Sequence, residues 1–308
     1  MNHLHLRIAA VAALSLAGLA QTGCKGCDKA PEAPAIKPAG TEKAPVPAGL
    51  PAAASAVDAP APVSPEVYPG PRSESLDGWR ITSGFANAKD EAQTQPSAVE
   101  DTKVYVTVLD DKSRPVGRLA KLERAELHLF VVARDLRHAR YAFGNGPVKE
   151  GADARAATIH MPGGGDHAMI AVFKPEGGAA RVVSAPVTVK GVLPEVMGPG
   201  LGSLGPRAKS EAEHVALLST PSQIIAGKPV VLAAQDLDAQ DKPKGDLNLP
   251  FVVIVNDQMG WGDVVEWDAQ GKGTWTPRQP GDYLVLAPPT RGTTALTFRL
   301  HVDAPPKQ

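Results

Sequence analysis

The sequence contains only two cysteines, Cys24 and Cys27, and both lie near its N-terminus. The long segment that follows them therefore has no thiol with which to form a disulfide framework, even in an oxidising compartment. Aromatic residues make up only 5% of the 308 residues, so we expect cores built from Val, Leu and Ala. Long runs of basic or acidic residues are also missing and the formal net charge is −1, which excludes the electrostatic footprint of a nucleic-acid-binding protein.

Glycine and proline, by contrast, are plentiful. The chain has 30 of each, which favours turns, linkers and strands over long helices. Proline and alanine dominate residues 24–72, and such a segment cannot bury enough apolar area to offset its ordering entropy. We expect a disordered, extended tether there, which at ~3 Å per residue can reach on the order of 100 Å.

The first 23 residues, MNHLHLRIAAVAALSLAGLAQTG, have the features of an export signal. Arg7 supplies a positive charge, and the apolar run from 8 to 20 is too short for a transmembrane helix. Small residues then precede Cys24, so the segment resembles a bacterial lipoprotein signal, although Gln21 replaces the usual aliphatic residue. The resemblance implies that Cys24 carries lipid, which would anchor the chain in a membrane. A plain secretory signal without a lipid is the alternative.

Cys24 and Cys27 are spaced as CxxC, which suits a redox pair or half of a zinc site. No second pair and no strand–helix context accompanies them, so we interpret the motif as a lipidated Cys24 beside an incidental Cys27. The residue after Cys24 is Lys25 and not the aspartate associated with inner-membrane retention. The lipoprotein resemblance therefore implies an outer-membrane anchor that faces the periplasm or the cell surface.

Short segments of alternating apolar residues follow the tether, separated by Gly, Pro and Asp. In the first half they are residues 103–109, 127–133, 167–173 and 180–189; in the second half they are 215–219, 229–235, 251–255, 263–267, 282–287 and 295–302. Such runs are typical of antiparallel β-sandwiches. We therefore predict an all-β fold with two tandem immunoglobulin-like sandwiches, at 73–191 and 214–304, joined by a linker at 192–213.

The two halves also match each other in the order of their motifs. VTVLDDKSRPVGRL in the first half aligns with AAQDLDAQDKPKGDL in the second, so that Pro115 meets Pro243 and Gly117 meets Gly245 at one offset. The later strands of both halves then follow in the same order. This repeat favours two sandwiches of similar size over one large barrel.

The strand LHLFVVA, the RDL that follows it and the later GDH strand form a specific series of motifs. The series resembles bacterial secreted immunoglobulin-like modules of the YtkA-like, metal-associated kind, over about residues 100–191 and more faintly over 215–303. The residues that match the family pattern are His128, Leu129, Val131, Val132, Asp135 and Leu136. The family's HxHP falls on residues 141–144, where both histidines are replaced, and the second half has no HxH at all.

The resemblance implies a bound metal, Cu or Zn, for which this chain offers four candidate ligands: His128, His138, His160 and His167. A transition-metal site needs three or four N, S or O ligands within one small volume. The PGGG turn lies between His160 and His167, which can approach each other across a hairpin. The alternative is that each histidine faces solvent or makes a single hydrogen bond, and that the chain has no cofactor.

Three other motifs support weaker interpretations. GLGSLG at 200–205 has the spacing of a dinucleotide-binding loop, but prolines flank it and a strand follows, so it belongs to the linker. DLDAQD at 236–241 lacks the glycine of a calcium loop, and a charged hairpin turn is the better interpretation. Trp261 lies in a glycine-flanked loop and is a candidate contact for a partner, whereas we expect Trp267 in the core.

A catalytic nucleophile is not recognisable in the sequence, since Ser203 lacks the GxSxG frame. We therefore expect a non-enzymatic binding or scaffold module of the cell envelope, which contacts the membrane through its lipid and an envelope protein or polymer through its loops. A periplasmic Cu- or Zn-binding protein that uses the four histidines is the alternative, and an enzyme is the third possibility.

Overall fold

The computed structural model describes residues 73–74, 78–133, 136, 138–149, 151–192, 204–210, 212–256, 259 and 261–306. These residues exclude the predicted signal peptide (1–23), the whole tether (24–72) with its lipidation site Cys24, the GLGSLG motif up to Ser203, and Asp135. No helix of the described part of the chain is long and apolar enough to cross a membrane.

The described residues form twenty β-strands. The strands of the first half are β1 (Ser73–Glu74), β2 (Arg80–Ala86), β3 (Ala92–Gln93), β4 (Thr102–Leu109), β5 (Leu119–Ala120), β6 (Leu127–Ala133), β7 (Ala139–Gly144), β8 (Ala154–Ile159), β9 (Gly165–Pro175) and β10 (Arg181–Val189). Those of the second half are β11 (Arg207–Lys209), β12 (His214–Thr220), β13 (Ile224–Ile225), β14 (Val230–Leu237), β15 (Pro243–Leu247), β16 (Phe251–Asn256), β17 (Gly262–Glu266), β18 (Lys272–Trp275), β19 (Gly281–Ala287) and β20 (Leu296–Asp303).

Each half is a sandwich of two sheets. In the first sandwich, β1-β2-β4-β8 faces β10-β9-β6-β7, with β3 beside β2 and β5 beside β9. In the second, β11-β12-β14-β15 faces β13-β20-β19-β16-β17, with β18 beside β14. The strands β2-β4-β8 and β10-β9-β6-β7 thus correspond to β12-β14-β18 and β20-β19-β16-β17, and this shared order is that of an immunoglobulin-like sandwich. The predicted all-β fold of two sandwiches is confirmed.

Equivalent aspartates shape equivalent turns in the two sandwiches. Asp110 Oδ1 accepts hydrogen bonds from the backbone amides of Lys112 and Arg114 at 2.9 and 2.8 Å. Asp238 Oδ1 does the same two and four residues further on, at 2.8 and 2.9 Å. Hydrogen bonds from backbone amides to a side-chain oxygen satisfy the donors of the turn, and they favour aspartate at the first position of the turn. DLDAQD is therefore the hairpin turn between β14 and β15.

Strand β11 lies within the segment that the sequence assigned to a linker. Arg207 to Lys209 pair antiparallel with β12, so that Lys209 lies opposite His214. Ala208 contributes to the core of the second sandwich. The second sandwich therefore begins before residue 214.

Alternation along β4 places Val104, Val106 and Val108 in the core of the first sandwich, as the sequence predicts. Strand β6 differs because all seven of its residues are buried. Leu127, Leu129 and Val131 face the core of the first sandwich, whereas Phe130 and Val132 face the second sandwich. Strands that are buried on both faces are mostly apolar, and β16 (FVVIVN) shows the same composition.

The two sandwiches are joined by a third apolar core, which we call the seam. It lies between the sheet β10-β9-β6-β7 and the sheet β13-β20-β19-β16-β17. Its buried residues are Leu122, Phe130, Val132, Leu136, Ala139, Tyr141, Ile170, Val172, Val182, Phe251, Val253, Val255, Leu284, Leu286 and Ala295. Each of these two sheets packs one face into the core of its own sandwich and the other face into the seam.

Backbone and polar contacts continue the seam at its edges. The Tyr141 amide donates to the Thr293 carbonyl at 2.8 Å, and the Ala295 amide donates to the Ala139 carbonyl at 3.0 Å. The loop between β19 and β20 therefore pairs with the outer edge of β7. Lys174 Nζ lies 3.0 Å from Glu266 Oε1 at another point of the same contact. These bonds fix the register of the two sandwiches as well as their proximity.

Candidate functional site

His128 lies in the seam and is completely buried. Its Nδ1 is 2.7 Å from the Tyr141 hydroxyl, and its Nε2 is 2.8 Å from the Leu122 carbonyl oxygen. The ring of Phe251, from the second sandwich, meets the imidazole edge to face with 4.7 Å between ring centroids. Strand β6 positions the side chain, strand β7 supplies the tyrosine and the turn before β6 supplies the carbonyl.

The two hydrogen bonds fix the tautomer of His128. A carbonyl oxygen only accepts, so Nε2 carries the proton and donates to Leu122, and Nδ1 accepts from the Tyr141 hydroxyl. Burial lowers the pKa of His128, against the opposing effect of the Leu122 hydrogen bond. Burial also raises the pKa of Tyr141 to about 12. The imidazole is therefore neutral, and in this arrangement neither ring nitrogen is open to a metal.

His167 lies on the opposite face of the same sheet. It pairs with Ala133, five residues after His128 on β6, whereas His128 pairs with Val172. Antiparallel partners share a face, so His128 faces the seam while His167 faces the core of the first sandwich. Five residues of strand separate the two histidines by roughly 17 Å along β6. His167 Nδ1 is 2.8 Å from the Gly165 carbonyl oxygen.

The other two candidate histidines are exposed and lie elsewhere in the first sandwich. His138 precedes β7, and its carbonyl accepts from the Ala133 amide at 2.8 Å. His160 follows β8 on the other sheet, where its Nδ1 is 3.2 Å from Asp101 Oδ1. Across the described residues, no three His, Cys, Asp or Glu side chains converge as a metal site would require. Binding of Cu or Zn by the chain stays a prediction.

Two histidines of the second sandwich have carboxylate partners that the sequence did not reveal. His214 Nε2 lies 3.1 Å from Asp241 Oδ1, and Arg207 holds the other oxygen of that carboxylate at 2.9 Å. His301 Nδ1 lies 2.7 Å from Asp282. Burial raises the pKa of Asp282, but hydrogen bonds from His301 and an arginine outweigh it and leave the pKa below its usual value. Both pairs tie neighbouring strands or turns together.

Trp261 lies directly before β17, at the end of the loop that follows β16. Its amide donates to Asn256 Oδ1 at 3.2 Å, and its ring meets Tyr283 edge to face at 5.7 Å between centroids. The Arg278 guanidinium lies 5.9 Å from the ring centroid. Trp261 is only partly buried, so this partner candidate packs on Tyr283 and still reaches the surface. Trp267 is also partly buried and packs against the same core.

A polar cleft of about 170 Å³ opens between β12, β14, β15 and the loop after β19. Glu213, Asp236, Lys244 and Arg291 are among its lining residues. Lys244 is paired with Asp236 at 2.9 Å, and Glu213 accepts from the Thr290 amide at 2.9 Å. Glu213 and Thr290 also share a side-chain hydrogen bond. The carboxylates of the cleft therefore hold β15 and the loop in place.

Comparison with known proteins gives neither a family nor a curated relative. No family model matches the chain, so the resemblance to YtkA-like modules stays a prediction. No curated protein matches the sequence either.

Solved structures that match include two bacterial adhesins and an S-layer protein, all of low similarity. The Escherichia coli adhesin FdeC has 15% identity and a TM-score of 0.23, over 75% of this chain and 65% of FdeC. A Ca²⁺-stabilized adhesin, with which an Antarctic bacterium binds ice, has 10% identity and a TM-score of 0.19, over 75% and 58%. Domains 4 and 5 of the S-layer protein SbsC have 11% identity and a TM-score of 0.19, over 71% and 96%. The chain spans less than two thirds of either adhesin, and scores this low carry no argument about function.

Proposed function

We propose that the chain is a non-enzymatic binding or scaffold module of the cell envelope, exported and held on a lipid-anchored tether. This proposal rests on the seam between the two sandwiches. It unites two sandwiches through fifteen buried side chains and through backbone hydrogen bonds, so that they present their loops as one body. A body of fixed shape loses little conformational entropy when it binds, which favours a partner-binding or spacing role.

Trp261 is the contact that we propose for the partner. Partly exposed tryptophans next to arginine are the type of side chain that contributes most to protein interfaces. Its amide is bonded to Asn256, and its ring contacts Tyr283 and Arg278, before any partner binds. The tether adds to this function because it confines the module near the envelope and raises the local concentration of the partner.

Site-specific photo-crosslinking in intact cells tests the proposal. A photoreactive phenylalanine analogue replaces Trp261 in the full chain, and a second strain carries it at Phe143. Phe143 is a matched control because it is an aromatic residue that reaches the surface and has an arginine over its ring, here Arg124 at 4.6 Å. We expect one crosslinked product of discrete mass at Trp261 and none at Phe143. The same products at both positions, or none at Trp261, would contradict a partner site at this loop.

A further inference from the structure

Among the described residues, two titratable side chains at the seam, His128 and Tyr141, are almost or completely buried. His128 matters more because its ordinary pKa lies near neutrality, whereas tyrosine ionises far above it. The imidazole bridges both sandwiches: its hydrogen-bond partners, Tyr141 and Leu122, belong to the first, and its ring contact, Phe251, belongs to the second.

Protonation does not fit this environment. A second ring proton on Nδ1 would force the Tyr141 hydroxyl, which donates its own proton there in the neutral form, to turn and accept instead. The added charge would also lie out of contact with water, where an unpaired charge is strongly disfavoured.

The groups around the imidazole offer little compensation. Glu123 and Arg124, on the turn before β6, have opposite charges, lie 3.4 Å apart and are about half exposed. From β7 the neighbour is Tyr141, from β9 it is Val172 and from β16 it is Phe251. The charged residues of β9 and β17 at this contact, Lys174 and Glu266, already neutralise each other at 3.0 Å.

Two routes by which water can reach His128 cross the seam, so either one breaks it. One route removes Phe251 and with it the sheet of the second sandwich. The other lifts the turn at 122–125, but Leu122 is itself 2% exposed and packs in the seam. This turn is closed by two backbone hydrogen bonds between Leu122 and Ala125, at 2.8 and 3.2 Å.

We propose that the seam is a proton-sensitive joint, in which protonation of His128 in acid separates the two sandwiches. This inference does not depend on the identity of any partner. Neutral solution favours the closed joint, since the buried ring excludes the proton. As the pH falls below about 6.5, the usual pKa of an exposed histidine, the open form takes up a proton that the closed form does not. The ratio of open to closed form then rises up to tenfold per pH unit until the lowered pKa of the buried ring is reached.

Amide hydrogen exchange of the full chain, followed by NMR, measures the joint directly. The amides of Tyr141 and Ala295 are bonded across the seam, to Thr293 and Ala139, so they lose protection when it opens. Amides in the β2–β4 and β12–β14 ladders lie within one sandwich each and serve as internal references. Protection factors, corrected for the intrinsic pH dependence of exchange, are compared at pH 7.5 and pH 5.

We expect the two seam amides to lose at least tenfold protection at the lower pH while the ladder amides keep theirs. In His128→Gln the loss should be absent, because glutamine takes up no proton in this range. The proposal is overturned if seam and ladder amides keep the same relative protection at both pH values. It is also overturned if NMR shows the His128 ring of the unsubstituted protein gaining its proton while the seam amides stay protected. That second measurement decides the matter even if His128→Gln fails to fold.

Discussion

Replacing Phe251 with alanine is the most direct perturbation of the seam. Phe251 is completely buried, begins β16 and contacts His128 of the other sandwich at 4.7 Å between ring centroids. Removing a buried phenylalanine costs about 3–5 kcal/mol through lost burial and the cavity that remains. Domain stabilities are on the order of 5–15 kcal/mol, so the loss is a large part of the total. We expect the seam to weaken before either sandwich loses its own core.

Equilibrium unfolding in urea, followed by tryptophan fluorescence, measures the effect. Trp79 packs on Phe173 and reports on the first sandwich, whereas Trp275 lies in the core of the second. A Trp79→Phe background separates the two signals. The unsubstituted chain should unfold in one coincident transition, because the seam couples the sandwiches. In Phe251→Ala both midpoints should fall and the two transitions should separate.

Phe298→Ala is the matched control. Phe298 is also completely buried, but its contacts lie inside the second sandwich and not in the seam. It should cost a similar free energy and leave one coincident transition. If Phe251→Ala lowers the free energy of unfolding by less than about 1 kcal/mol, well under the expected cavity cost, Phe251 does not couple the sandwiches as described. Two separate transitions in the unsubstituted chain would refute that coupling as well.

Three further substitutions test local features of the fold. Gly144→Ala places a Cβ against the carbonyl oxygen of Ala156, and such overpacking should cost about 1–3 kcal/mol in thermal unfolding. Arg155→Ala removes a 2.7 Å bond to Glu126 from a side chain that is 3% exposed, and loss of a buried partner should cost roughly 3–5 kcal/mol in urea. Asp238→Ala removes the acceptor for two turn amides and should cost roughly 1 kcal/mol. An unchanged midpoint of urea unfolding would contradict this role of Asp238.

The alternation of apolar residues predicted the sheets because it follows from strand geometry alone. Val104, Val106 and Val108 face the core as the period of two requires. The repeat likewise placed Pro115 and Pro243 at equivalent turns, because side chains such as Asp110 and Asp238 determine turn geometry locally. Local rules were therefore sufficient for the fold class.

The seam could not be predicted from the sequence. Strand β6 is apolar on both faces, which indicates burial on both sides but does not say which sheet covers the second face. The role of His128 depends on that covering sheet and on the register that brings Tyr141 to it. The partners of His214 and His301 are carboxylates on other strands and turns. Such pairings also cannot be predicted before the order of the strands is known. An imidazole suits a metal site and a hydrogen bond alike, so residue type alone could not decide between them.

Residual dipolar couplings of the weakly aligned full chain test the central claim, that the seam makes one body of two sandwiches. Couplings from strands β2 to β10 and from β12 to β20 are fitted separately at neutral pH, each to its own sandwich. We expect one alignment tensor, with the same magnitude and orientation for both sets. Two different tensors, or a clearly smaller one for either sandwich, would show independent motion and contradict a module whose loops are presented in fixed relation.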